Sequence, residues 1–161
     1  AAWGLDAEVG LLGREGERRM ALLEYVTAPR KTKLLPGEVL SAVYIPKREW
    51  AFQQFFKVGR RNALAISVVN GIVALDADGK GRITDARVSV GAVAPTPIRI
   101  FDAEKLLIGK IPDAPLLDQI QETVRRSVKP ISDIRASAQY RAYIAGVHVK
   151  RRIATSLEET K

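Results

Sequence analysis

One turn constrains this chain more than any other feature: an Asp-Gly pair between two runs of strand-forming residues. Ile66 to Leu75 reads Ile-Ser-Val-Val-Asn-Gly-Ile-Val-Ala-Leu, a long β-branched run. Asp76-Ala77-Asp78-Gly79-Lys80-Gly81 follows, and Arg82 to Val93 returns with alternating apolar residues. Asp-Gly readily supplies the positive φ that a tight hairpin needs, so the two runs are expected to pair antiparallel. Ile83, Ala86, Val88 and Val90 do not keep one phase. Side chains alternate faces along a strand, so the lost phase predicts a bulge near Asp85-Ala86. Pro95-Thr96-Pro97 stops the run, and Ile98-Arg99-Ile100 reads as a short further extension.

A third strand is expected just upstream. Trp50, Phe52, Phe55 and Phe56 cluster there and lead into a turn holding Lys57, Arg60 and Arg61 around Gly59. Three cations in so few residues are rarely buried without partners, so this turn should face water or an anion. One reading is charge-assisted contact with a phosphate or an electron-rich ring, with Gly59 allowing close backbone approach. The other is a solvated turn whose cations pair with surface carboxylates. No Walker loop or Gly-x-Gly-x-x-Gly accompanies the cluster.

The first part of the chain reads as a smaller sheet. Leu5 to Leu12 and Arg18 to Leu22 are expected as strands around a Gly13–Glu17 hairpin turn. Leu22 to Val26 reads as one helical turn, and Thr27 to Leu35 as a cation-rich loop. Pro36-Gly37-Glu38 is a turn before a strand from Val39 to Ile45, ended by Pro46. About 46 residues are too few for a good core of their own. The end of the chain is helical. Asp102 is expected to cap a helix closed by Gly109, and Asp113 with Pro115 to open one burying Leu116, Leu117, Ile120 and Val124. Lys129-Pro130 breaks the chain, and Ser132 or Asp133 begins a long helix to about Leu157. Its expected core stripe is Ala136, Tyr140, Tyr143, Ile144, Val147 and Ala154, with Arg135, Arg141, Lys150, Arg151 and Arg152 mostly off it. The fold class is α+β: an antiparallel sheet of about three strands packed with about three helices.

Composition excludes several chemistries. Cysteine is absent, which removes disulfides, thiolate nucleophiles and cysteine-held clusters. His148 is the only histidine, so no multi-histidine metal site can form, and no Gly-x-Ser-x-Gly elbow accompanies it. It reads as a partly exposed helical residue. Asp76 and Asp78 start like a calcium loop but lack the later ligands. Asp133, Arg135, Tyr140 and Arg141 are expected as a polar network docking the last helix. No catalytic or metal-binding residue is nominated. No apolar run approaches the roughly 20 residues that span a bilayer. The N-terminus lacks signal-peptide features and an initiator Met, which reads as a fragment, and the absence of cysteine fits a cytoplasmic protein. The formal charge of +8 is scattered along the chain without a nucleic-acid recognition signature.

Phe56-Lys57-Val58-Gly59-Arg60-Arg61-Asn62-Ala63-Leu64-Ala65-Ile66-Ser67-Val68-Val69-Asn70 resembles the FAD-binding medium subunit of the molybdenum hydroxylases, the xanthine dehydrogenase and carbon monoxide dehydrogenase family. Gly91 to Arg99 (Gly-Ala-Val-Ala-Pro-Thr-Pro-Ile-Arg) and Asp133 to Arg141 (Asp-Ile-Arg-Ala-Ser-Ala-Gln-Tyr-Arg) carry the same resemblance. So do Leu5 to Val9 and Leu35 to Leu40. The resemblance implies two regions: 1–46, the end of the second FAD-binding subdomain, and 50–157, the flavoprotein C-terminal domain. It implies that Leu40 and Lys57 contact FAD, with Gly59, Arg60 and Arg61 in the loop from Val58 to Leu64 that borders the flavin. Molybdopterin and [2Fe-2S] clusters would sit on a large and a small partner subunit, and electrons would pass through FAD to an acceptor. The family's Gly-rich pyrophosphate cradle has no counterpart here, so this stretch alone is expected to bind FAD weakly and to be inactive. The alternatives from the residues are a basic nucleic-acid-binding module and a subunit-docking module without redox role.

Overall fold

The computed structural model describes residues 1–61 and 64–159. Asn62 and Ala63, part of the cationic turn, lie outside the described residues.

A 3-10 turn, Ala2–Leu5, opens the chain, where sequence reasoning expected the first strand to begin. Asp6 then takes a left-handed conformation (φ 52°), and β1 runs only from Glu8–Gly13. The hairpin to β2 (Gly16–Ala21) and the single helical turn α1 (Leu22–Tyr25) form as expected. The expected cation-rich loop instead holds a small hairpin, β3 (Val26–Ala28) and β4 (Lys31–Thr32). Arg30 supplies its positive φ of 61°, a job usually left to Gly or Asn, so the turn carries no sequence signal. Strand β5 (Val39–Tyr44) pairs with β1 and completes a sheet of order β2-β1-β5. Its small core is Ala7, Val9, Leu11, Leu22 and Tyr25.

The second sheet has order β6-β7-β8-β9, built from β6 (Phe52–Val58), β7 (Val69–Ala77), β8 (Ile83–Gly91) and the two-residue β9 (Ile98–Arg99). All pairs are antiparallel. Asp76 pairs with Asp85 and Ala77 with Ile83, which leaves Thr84 as the extra residue, one position from the expected bulge. Asp76 stays in the strand, and the turn proper is Asp78 to Arg82. Asp78 Oδ1 accepts from Lys80 N and Arg82 N at 2.9 Å each.

Three helices cover one face of this sheet, and the main core lies between. Helix α2 spans Phe101–Leu107; Asp102 lies inside its first turn beside Lys105 and caps nothing, so that expectation is corrected. Helix α3 (Ala114–Ser127) starts as read, with Asp113 Oδ1 accepting from Leu116 N at 2.9 Å. Helix α4 (Ala138–Glu159) starts later than Ser132 or Asp133. Its buried stripe is Arg141, Ala145, Val149 and Ile153, spaced four apart, while Tyr140 and Tyr143 are about half exposed. The expected stripe is right in part: Ala136, Ile144 and Ala154 pack against the core, whereas Arg141, expected mostly off the stripe, is buried. Gly146 lets α4 approach α3 closely: a Cβ there would meet Gln121 O at 2.5 Å.

A chain of alternating charges joins the two sheets. Arg48 donates to Asp76 (2.5 Å) and Asp85 (2.7 Å) and stacks on Trp50. Asp85 also accepts from Arg87, which donates to Asp6 at 2.8 Å. Asp6 accepts in turn from Arg99, whose other edge grips buried Glu104 at 2.6 and 3.0 Å. Burial works against the Asp85 carboxylate, but Arg48 and Arg87 outweigh it and hold its pKa below the usual carboxylate range. A depressed folded pKa gives stability present above the ordinary aspartate pKa and lost as pH falls through the folded one. Asp85→Asn is therefore expected to cost about 1–2 kcal/mol at neutral pH, after discount for partial exposure. That difference should shrink below pH 3.8, the ordinary aspartate value, in urea titrations of both forms at several pH values.

Candidate functional site

The cationic segment is built differently from a simple turn. Lys57 lies in β6, paired with Asn70, and is exposed. The neighbouring Phe56 alternates to the core side, as strand geometry requires. The loop begins at Gly59 and is closed at its base by Val68 N donating to Val58 O at 2.7 Å. Ile66 to Val68, expected in the strand, belong to this loop, and β7 starts at Val69. Within it Leu64 is left-handed (φ 51°) and 92% exposed. A Cβ on Gly59 would stand 2.9 Å from the Ala65 Cβ, so glycine is needed for the loop to fold back on itself.

The loop's two arginines bind carbonyls. Arg60 Nη1 donates to Ile134 O at 3.2 Å and Arg61 Nη2 to Leu64 O at 2.8 Å. Among the described residues neither arginine nor Lys57 forms an ion pair. The cations thus keep donors open to an anion. Lys57, Val58, Gly59, Arg61, Leu64, Ala65 and His148 line a cavity of about 540 Å³. A larger cleft of about 820 Å³ lies between the β1-β2 hairpin and the Pro36 turn, and its Arg18 and Glu38 are paired with each other. Arg18 there grips Glu38 at 2.6 and 2.9 Å, and with Leu35 N lowers its pKa to about 2.

The loop is anchored from below by Arg141, which is 3% exposed. Its Nη1 donates to Val68 O (2.7 Å) and Ala92 O (3.1 Å), and its Nη2 to Asp133 Oδ1 (2.6 Å). One guanidinium so ties the loop's end, the segment after β8 and the turn before α4. Asp133 also accepts from Arg135 N, Ala136 N and the Arg135 side chain. Burial opposes its charge, yet these donors hold its pKa well below the usual range. The polar network expected at the head of the last helix is present among Asp133, Arg135 and Arg141.

His148 forms the helix side of the cavity. Its ring stacks on Phe56 with centroids 5.3 Å apart and planes 13° apart. Nδ1 is buried and has no hydrogen-bond partner. Burial, then the charges of Arg152 and Arg151, lower its pKa.

The nominated residues are therefore partly gathered. Lys57, Gly59 and Arg61 share one cavity, and Arg60 braces its loop from outside. Leu40 lies on the other sheet, opposite Leu11 and 45% exposed, and does not line this cavity. Arg141 was expected in the polar network but not in the buried stripe, and His148 was expected as a partly exposed helical residue but not as a wall of the cavity. The signal for Arg141 was its spacing with Ala145, Val149 and Ile153; nothing local in the sequence placed His148 against Phe56.

Residues 54–156 match the CO dehydrogenase flavoprotein C-terminal domain, and the chain belongs to that family. The carbon monoxide dehydrogenase medium chain of Afipia carboxidovorans is 30% identical over 157 residues, covering 98% of this chain and 54% of that protein. The xanthine dehydrogenase FAD-binding subunit of Escherichia coli is 29% identical over 154 residues, covering 94% and 52%. A chain of reconstituted CO dehydrogenase from Oligotropha carboxidovorans superimposes with a TM-score of 0.90 at 30% identity, over 98% of this chain and 55% of its own. This chain thus spans about half the length of the relatives it matches. No helix among the described residues is long and apolar enough to cross a membrane.

Arg141→Ala removes a donor from three groups: Val68 O and Ala92 O lose their guanidinium, and Asp133 keeps only Arg135 and two backbone N–H groups. The substitution is expected to destabilise by about 3–5 kcal/mol in urea denaturation. Arg141→Lys, which keeps charge but not the planar fork, should fall between that variant and the wild type.

Proposed function

We propose that this chain forms part of the FAD-binding subunit of a molybdenum hydroxylase-type oxidoreductase. The observation that carries the reading is one cavity, inside the stretch matching the flavoprotein C-terminal domain, that joins Lys57, Gly59 and Arg61 to the apolar walls of Val58, Leu64 and Ala65. A cation beside apolar walls suits a planar, electron-rich ring that gains negative charge on reduction. The described residues fit the ring side of FAD. They offer no glycine-rich cradle of backbone N–H groups for its pyrophosphate, and we assign that contact to the Gly-rich segments of the complete subunit.

Lys57 would hold the cofactor through charge, and Gly59 would let the loop backbone come close. Arg60, through Ile134 O, would keep the loop seated, and Arg61 would add a second donor. Leu40 would contribute an apolar contact from the first sheet. When bound, FAD supplies the redox chemistry that links [2Fe-2S] clusters to an electron acceptor. Molybdopterin and the clusters would be carried by a large and a small partner subunit in the cytoplasm. In this reading residues 1–46 close the second FAD-binding subdomain, and 50–157 form the C-terminal domain. This stretch alone would bind FAD weakly and turn nothing over. No observation favours a nucleic-acid site: Arg18, Arg48, Arg87, Arg99 and Arg141 are all committed to carboxylates.

Lys57→Ala in the complete subunit is expected to weaken FAD binding about tenfold or more, as for a lost charge-assisted hydrogen bond. The melting temperature of the FAD-free subunit should hold, because Lys57 is exposed. Unchanged FAD affinity, measured by flavin fluorescence titration, would overturn the assignment.

A further inference from the structure

His148 is the cavity-lining residue that the flavin reading leaves unused, and its surroundings assign it a role. The stack on Phe56 fixes the ring plane. Phe56 is itself fixed: its ring lies over Gly71 of the adjacent strand, where a Cβ would stand 2.6 Å from the ring edge. The imidazole therefore rests on a packed sheet and has little freedom to turn. Nδ1 is shut off from solvent without a partner, and Nε2 is not. Nε2 is accordingly the nitrogen through which the ring can meet the cavity.

We propose that His148 is a ligand-contacting residue of the Lys57 cavity, presenting Nε2–H as a hydrogen-bond donor to an acceptor atom of the ring system bound there. This inference rests on the flavin reading and adds a directional contact to it. A proton on Nδ1 would leave a buried N–H without an acceptor, among the rarest defects of folded proteins. A proton on Nε2 meets the cavity and leaves only a buried lone pair. Burial, then the charges of Arg152 and Arg151 on its own helix, oppose a second proton on the ring, and the charged groups that line the cavity with it, Lys57 and Arg61, are cations too. His148 thus acts as a neutral donor, complementary to the cationic contact from Lys57. A carbonyl or ring nitrogen of an isoalloxazine is an acceptor of the required kind.

The test uses the complete FAD-binding subunit with FAD as the probe. His148→Phe keeps a flat ring on Phe56 and removes the donor; His148→Gln keeps a donor. His148→Phe should weaken FAD binding about tenfold and shift the visible absorption band of the bound flavin, and His148→Gln should recover part of both. If His148→Phe changes neither while Lys57→Ala weakens binding, the donor role is overturned and the flavin site stands. If neither variant affects FAD, the flavin site itself is overturned. A second measurement needs no folded variant. In the wild-type subunit with isotopically labelled histidine, the His148 signal should show a protonated Nε2 that moves when FAD is added. A protonated Nδ1, or a signal indifferent to FAD, overturns the proposal.

Discussion

The arrangement of the second sheet depends on one buried cation. Arg141 lies on a helix, yet each hydrogen bond of its guanidinium serves a segment outside that helix. Val68 O and Ala92 O flank the open end of the β7-β8 pair, one just before β7 and one just after β8, and Asp133 belongs to the turn that feeds α4. A hydrophobic residue could fill the same volume but could not satisfy those carbonyls. They would then be buried polar groups without donors, a cost of about 1–3 kcal/mol each. The arginine is tolerated in the core because its partners are fixed by three separate pieces of backbone. It also sets the base of the cationic loop, since Val68 closes that loop with Val58.

The candidate site follows from this anchoring. A loop bearing exposed cations gains specificity only if its backbone is held, and here both ends are. The Val58–Val68 hydrogen bond closes the stem, and Arg60 fastens the flank to Ile134. The opposite wall is rigid for another reason: His148 rests on Phe56, and Phe56 on Gly71. One wall is thus a braced loop and the other a packed stack. Such a cavity can present a cation and a neutral donor at fixed positions, which is the requirement for recognising a planar heteroaromatic ring.

Much of this was legible from residue patterns. The Asp-Gly hairpin, its bulge to within one residue, the Asp113 cap and the α3 face all follow from short-range chemistry that tertiary contacts did not override. The misreadings have two causes, a turn with no local sequence signal and a residue whose partner comes from another segment of the chain. Arg30 turns the β3-β4 hairpin without glycine, Asp6 leaves the strand to meet Arg87 and Arg99, and Arg141 enters the core because Val68, Ala92 and Asp133 await it. The same holds for the site. Lys57, Gly59 and Arg61 stand together in the sequence and in the cavity. His148 joins them only through a helix packed on the sheet, and no periodicity marks that contact.

The charge chain between the sheets has a kinetic meaning. Asp6 and Arg48 bracket the whole first sheet, and both meet the Asp85–Arg87 pair of β8. The first sheet is therefore a loop pinned at both ends to the second. If its small core opens while the pins hold, its strands stay within reach of their docking surface, at an effective concentration on the order of millimolar. Re-closure is then intramolecular and fast compared with full refolding. A modest core of five buried residues can persist under those terms, because transient opening does not become separation.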